Sequence, residues 1–205
     1  MQTISEKIKN KIKNGEQGKF YFIADFSTFG DRKSISRILL QLSKPGFIVR
    51  LLRGVYYYPR IDKKLGVLLC SWETVAKEIV KRKNMRLAKT APYAQNAFGL
   101  STQVPCNVVY LTDGKSRTIY NLKGRRVIRF IHTAPKNFAY KSEFVQLIVF
   151  AFDDFGEEYV NEHINSYEFN RVKSTLLTHE SKETVLSDLQ YAPVWIQKVV
   201  KSLYD

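Results

Sequence analysis

The sequence predicts an α+β chain, and three observations carry that fold class. Ile4, Ile8 and Ile12 recur every fourth residue and form one helical stripe. The runs "FIVRLLRGVYYYP", "NVVYLT", "SRTIYNL" and "RRVIRFIH" are β-rich and broken by turn dipeptides. From about residue 141 the apolar pattern returns to helical spacing. A length of 205 residues suits one large domain or two small ones and is ample to bury a core. The polar "RIDKK" and Gly66 suggest a boundary between a domain over 1–60 and a second over 66–205.

In chain order, Thr3 to Glu6 fit a capping box that opens the first helix, with Lys7, Lys9, Lys11 and Lys13 outside its stripe. Asn14-Gly15 ends it. "KFYFIADFSTFG" is a strand-like run leading into a short helix that stops near Gly30. Asp31 caps the next helix, and Pro45-Gly46 terminates it. Its core stripe is Ile35, Ile38, Leu39 and Leu42. The opposite face is Lys33, Arg37, Leu40 and Lys44, flanked by Ser36 and Gln41. Arg53-Gly54 then turns a hairpin, with Arg50 and Arg53 on it. Three short helices, the last with a basic face, followed by a two-stranded wing, make a winged helix-turn-helix.

"SWETVAKEIVKRK" is helical and capped by Ser71, and "MRLAKTA" could be a strand. Pro92 opens a helix through "YAQNAF", which Gly99 caps. An antiparallel meander is expected over about 107–132, turned at Asp113-Gly114 and Lys123-Gly124. A helical subdomain fills about 141–205, with Val194, Trp195, Val199 and Leu203 facing inward in its last helix.

Charge is uneven along the chain. The formal net charge is +14, with +9 over residues 1–65, +9 over 66–135 and −4 over 136–205. A basic front suits phosphate backbones, and an acidic back suits a basic partner. A Lys/Arg face opposite an apolar stripe is also what any solvated helix shows. The arginines on the hairpin and the +9 of the first 65 residues favour double-stranded DNA, contacted by Arg32, Lys33, Ser36, Arg37, Gln41, Lys44, Arg50 and Arg53. A second basic set is Lys81, Arg82, Lys83, Arg86 and Lys89 with Arg117, Arg125, Arg126 and Arg129. It could extend a DNA footprint, hold RNA, meet an acidic partner or be ordinary surface. Tyr56, Tyr57 and Tyr58 suit core packing better than base stacking.

Enzyme chemistry finds little support. His132, His163 and His179 are too widely spaced for a metal motif, and no G-x-S-x-G or phosphate loop occurs. Asp153-Asp154 and Glu157-Glu158 lack the following Lys and the strand context of a nuclease. Cys70 and Cys106 stand alone and read as reduced core thiols. The expectation is therefore no catalytic residues, no metal and no cofactor. The longest apolar run, "LIVFAF", is far short of a membrane span, and the Lys-rich start does not open an apolar signal region. A cytoplasmic protein without a membrane partner is expected.

The run "NAFGLSTQVPCNVVYLTDG" has no Lys or Arg and only Asp113 for charge. Its residues have plain structural uses: helix end, cap, turn and strand. Together with the winged module and the later "LQYAPVWIQKVVKSL", it also resembles the AbiEi-type antitoxins of type IV toxin–antitoxin systems. The likeness is to the AbiEi-like transcriptional regulators in particular. The positions that carry it are Asn96, Gly99, Leu100, Ser101, Thr102, Gln103, Val104, Pro105, Tyr110, Leu111, Thr112, Asp113 and Gly114, supported by Ala192, Pro193 and Trp195.

The resemblance implies a bacterial autorepressor that binds inverted repeats in its own promoter. It also implies an antitoxin, active in abortive infection and phage defence, that opposes a nucleotidyltransferase-type toxin. The expected state is a monomer or weak dimer. The alternative is a stand-alone winged-helix regulator, or a protein- or RNA-interaction module without a toxin.

Overall fold

The computed structural model describes residues 2–103 and 108–204. The expectations for Val104, Pro105 and Cys106 lie outside the described residues. The chain forms two compact units, residues 1–79 with 119–127, and residues 80–118 with 128–205.

In the first unit, α1 (Ile4–Lys13) starts at a capping box. Glu6 N donates to Thr3 Oγ1 at 3.2 Å, and Thr3 N donates to Glu6 Oε2 at 2.8 Å. Two of the first-turn amides, which an α-helix leaves unpaired, are thereby satisfied. A strand, β1 (Phe20–Phe22), runs into a 3-10 turn (Ile23–Phe26). Helix α2 (Arg32–Ser43) follows, then β2 (Val49–Leu52) and β3 (Val55–Tyr57). The antiparallel sheet has the order β1-β3-β2, with Tyr21 and Arg50 flanking Tyr56 on either side. Gly54, at φ 82°, supplies the positive φ that the two-residue turn between β2 and β3 requires. Ile8, Ile12, Tyr21, Phe26, Ile35, Leu39, Ile48 and Tyr56 close the core. Lys11 ties α1 to the 3-10 turn through Asp25 O.

Residues 60–68, expected as a connection, fold instead into a ribbon of β4 (Arg60–Asp62) and β5 (Gly66–Leu68). Ile61 pairs with Val67, so period-2 alternation puts both on one face. That face meets water: Ile61 is 66% and Leu65 at the tip 77% exposed. Helix α3 (Trp72–Arg82) begins where Thr74 N donates to Ser71 Oγ at 3.2 Å.

The second unit combines a helical bundle with most of a four-stranded sheet, of which residues 119–127 are grouped with the first unit. The sheet's strands are β6 (Leu87–Ala88), β7 (Val108–Thr112), β8 (Arg117–Tyr120) and β9 (Arg126–His132), and α4 (Ala91–Ala97) follows β6. The expected antiparallel meander is not what forms. The strand order is β6-β7-β9-β8, and β7 pairs with β9 in parallel, from Val108↔Ile128 to Thr112↔His132. Asp113-Gly114 therefore does not turn a hairpin, and Gly114 lacks the positive φ of such a turn. The segment 113–116 carries the chain past the end of β9 instead. His132 N donates to Ser116 Oγ at 2.8 Å, and His132 Nδ1 lies 3.0 Å from Gly114 O. Asp113 accepts from Arg86 N at 2.8 Å and from Arg86 Nε at 2.9 Å. Lys123-Gly124 does turn β8 into β9, with Gly124 at φ 74° and Asn121 Oδ1 accepting from Lys123 N and Arg125 N.

A second 3-10 turn (Pro135–Phe138) leads to α5 (Glu143–Phe155), the centre of the bundle. Around it pack α4, α6 (Glu157–His163), α7 (Tyr167–His179), α8 (Lys182–Leu189) and α9 (Val194–Ser202). In α9 the buried positions are Ile196 and Val200, with Trp195, Val199 and Leu203 against the same core. Val194, expected inside, is 67% exposed, because it lies at the first helical position, before the stripe begins. Asp188 is fully buried and holds the start of α5, accepting from Lys141 N and from Ser142 N at 2.8 Å. Ser142 Oγ in turn accepts from Phe144 N and Val145 N.

Two expectations follow. Replacing Asp188 with Ala strips one buried amide, Ser142 N, and one part-buried amide, Lys141 N, of their acceptor and should lower unfolding free energy by about 2–4 kcal/mol, measured by urea denaturation. The hydrogen bonds and charge of Arg86 hold the Asp113 carboxyl below its ordinary range. Its contribution to stability is therefore present above the usual carboxylate pKa and is lost as pH falls through the depressed value. A ¹³C titration of Asp113 should show that low midpoint in the native chain and one raised part of the way toward the ordinary range in Arg86→Ala, whose backbone N–H at residue 86 still donates to the carboxylate.

Candidate nucleic-acid interface

Helix α2 begins where Asp31 accepts from Lys33 N at 2.8 Å and Ser34 N at 3.0 Å. Those hydrogen bonds, led by Ser34, hold the Asp31 carboxyl below its usual range. Ile35 and Leu39 are buried, while Ile38 and Leu42 pack at the margin of the core. The opposite face, Lys33, Ser36, Arg37, Leu40, Gln41 and Lys44, follows the helical i, i+3, i+4 spacing over about three turns. Lys33, Arg37, Leu40, Gln41 and Lys44 are exposed, and Ser36 is half-buried. Among the described residues no carboxylate forms an ion pair with Lys33, Arg37 or Lys44. Arg32 and Lys33 occupy the first turn, where the helix dipole disfavours cations. They are poorly placed for stability and well placed to meet an anion in front of the helix.

Arg53 stands exposed in the β2–β3 turn. Arg50 is different. It is half-buried beside Tyr56, and its Nε is buried with no hydrogen-bond partner among the described residues. Sequence reasoning left Arg60, Lys63, Lys64 and Lys123 out of the candidate DNA contacts, and all four are exposed in the first unit. The signal was present in "RIDKK", which read as a linker because its strands are only three residues each. The first unit holds 18 Lys and Arg against 7 Asp and Glu, net +11. The second holds 15 against 12, net +3.

The second basic set divides by use. Arg86 binds Asp113 and lies 4.8 Å from the centroid of the Phe138 ring. Lys89 pairs with Glu143 at 3.2 Å and sits over Tyr93. Arg117 lies over Phe130, where burial lowers its pKa. These three are built into the second unit. Lys81, Lys83, Arg125, Arg126 and Arg129 remain exposed.

The quiet run takes structural roles. Leu100 N donates to Gln95 O at 2.8 Å and Gly99 N to Asn96 O at 3.0 Å, with Gly99 at φ 71°. This is the Schellman arrangement at the end of α4. Asn96 Nδ2 donates to Ser101 O, and Gln103 N donates to Ser101 Oγ. Thr102 and Gln103 are exposed, and Tyr110 is buried in β7. These residues belong to the second unit and the α2 face to the first. Among the described residues no group of three or more His, Cys, Asp or Glu gathers as a metal site. No helix among them is long and apolar enough to cross a membrane.

No curated protein matches the chain. A family described as a family of unknown function (DUF6088) matches residues 7–185, from α1 into α8. That span takes in the α2 face, both hairpins of the first unit and most of the second unit, and the chain belongs to this family.

Proposed function

We propose that the chain is a DNA-binding transcriptional autorepressor and antitoxin of a type IV toxin–antitoxin system, opposing a nucleotidyltransferase-type toxin in the cytoplasm. One observation carries the DNA half: the first unit holds +11 of the +14 net charge and exposes an α2 face whose Lys33, Arg37 and Lys44 form no ion pair among the described residues. The order α1, β1, 3-10 turn, α2, β2, β3 reads as a winged helix-turn-helix in which the 3-10 turn stands for the second helix. Helix α2 then enters the major groove, and Arg53 meets the flanking backbone. The antitoxin half rests on the resemblance of the "NAFGLSTQVP" and "YLTDG" runs to the AbiEi-type family.

A second reading, a protein-interaction module, is favoured by the water-facing apolar side of the β4–β5 ribbon, since such surfaces mark contacts with other macromolecules.

Gel shifts on the chain's own upstream DNA test the reading. Binding should fall steeply with salt, and the salt slope should drop by about one for each of Lys33→Ala and Arg37→Ala. The pair together should weaken binding about tenfold. Equal affinity for random duplex at moderate salt, or unchanged binding by the double variant, would favour the protein-interaction module instead.

A further inference from the structure

The second unit contains a concave site that the proposed function does not use. A cavity of about 460 Å³ opens between α5, the second 3-10 turn, the ends of β7 and β9, and the α8–α9 link. That volume lies within the range of small-molecule sites. Its apolar wall includes Leu111, Ile131 and Val149. Three rings meet there: Tyr140 lies edge-on to Phe150 at 6.2 Å and to Tyr191 at 5.8 Å. Two carboxylates, Asp153 and Asp154, come from the last turn of α5. Asp154 is fixed by Gln95 Nε2, which donates to it at 2.8 Å from a buried side chain. Asp153 accepts no hydrogen bond among the described residues and is exposed at the cavity. Segments distant in sequence converge here, since Leu111 belongs to the "YLTDG" run and Pro193 to "LQYAPVWIQKVVKSL".

Aromatic rings present negative faces, and ionised carboxylates add full negative charge. Together they suit a cation that carries apolar surface. The carboxylates also act, after burial, on one of the protein's own groups. Burial, Asp153 and Asp188 push the Tyr140 hydroxyl up to about 12. One cation, Lys136, also lines the cavity, and it is exposed. Two acids outnumber it, and its ammonium disfavours a second cation at its own end. A ligand's charge is thereby directed toward Asp153.

We infer that this cavity binds a small organic cation, an ammonium or guanidinium on an aromatic or alkyl stem, held by the Tyr140, Phe150 and Tyr191 rings and by Asp153. The inference does not depend on DNA binding.

Benzamidine, benzoate and agmatine serve as probes in calorimetric and ¹H–¹⁵N NMR titrations of the full chain. Benzamidine should saturate with Kd on the order of 1 mM and shift the Tyr191 and Asp153 amides, while benzoate, its anionic counterpart, should not bind. Agmatine should compete with benzamidine. Asp153→Asn and Tyr191→Ala alter exposed side chains and leave the core intact, and each should weaken benzamidine about tenfold. Lys136→Ala should tighten it. Benzoate binding as well as benzamidine, indifference of both weakening variants, or shifts confined to other surfaces would overturn the assignment.

Discussion

With 33 lysines and arginines against 19 acids, at least 14 cations of this chain have no carboxylate to pair with one to one, and the fold gives several of its cations aromatic partners instead. Lys11 lies over Phe26 and Phe29 while donating to Asp25 O. Lys19 lies over Tyr21, Arg86 over Phe138, Lys89 over Tyr93 and Arg117 over Phe130. A ring face attracts a cation without the desolvation penalty of a second full charge. Where rings border the core, as Phe26, Tyr21 and Phe130 do, the residues that help fill the interior also quiet the surplus charge around it. What remains unquieted is then informative. Among the described residues, the α2 face and the tips of the first unit's hairpins keep cations with no ion pair or ring contact.

That distinction separates two kinds of basic residue which look alike in sequence. Arg86 and Lys89 belonged to a run of charge that could have been nucleic-acid surface. Each instead closes a contact between segments of the second unit, to Asp113 and to Glu143. Arg32 and Lys33 do the opposite, sitting where a helix dipole resists them and where Asp31 alone supplies the N-terminal acceptor. Cations tolerated at a position that folding disfavours need another reason to be there, and a polyanion in front of the helix supplies one.

Local signals in the sequence were read well because their physics is local. The Thr3–Glu6 capping box, the Asp31 and Ser71 caps, the Arg53-Gly54 turn and the Gly99 helix end each need only a few neighbouring residues, and each forms as expected. The sheet of the second unit was not legible, because strand order is decided by which ladder buries which face. Asp113-Gly114 has the composition of a hairpin turn, yet Asp113 is taken by Arg86, 27 residues earlier, and β9 enters between β7 and β8. The β4–β5 ribbon escaped notice for another reason. Strands of three residues give too little alternation to distinguish them from a polar link. The cavity beside Tyr140 could not be seen at all, since its walls come from six separate stretches of chain.

The ribbon also constrains how the first unit can be completed. An isolated two-stranded hairpin is marginal in water, and this one turns Ile61, Val67 and Leu69 outward. Phosphates could satisfy Lys63 and Lys64 at its tip, but they offer nothing to an isoleucine. The α2 face has the reverse character, being polar and cationic with Leu40 as its single large apolar side chain. Two surfaces of such different chemistry within one unit are poorly matched to a single ligand. A nucleic acid on α2 leaves the ribbon's apolar side to be covered by something else, and a protein surface is the chemistry that covers it best. A repressor that must also engage a protein partner would need two such surfaces, one charged and one apolar, on the same small unit.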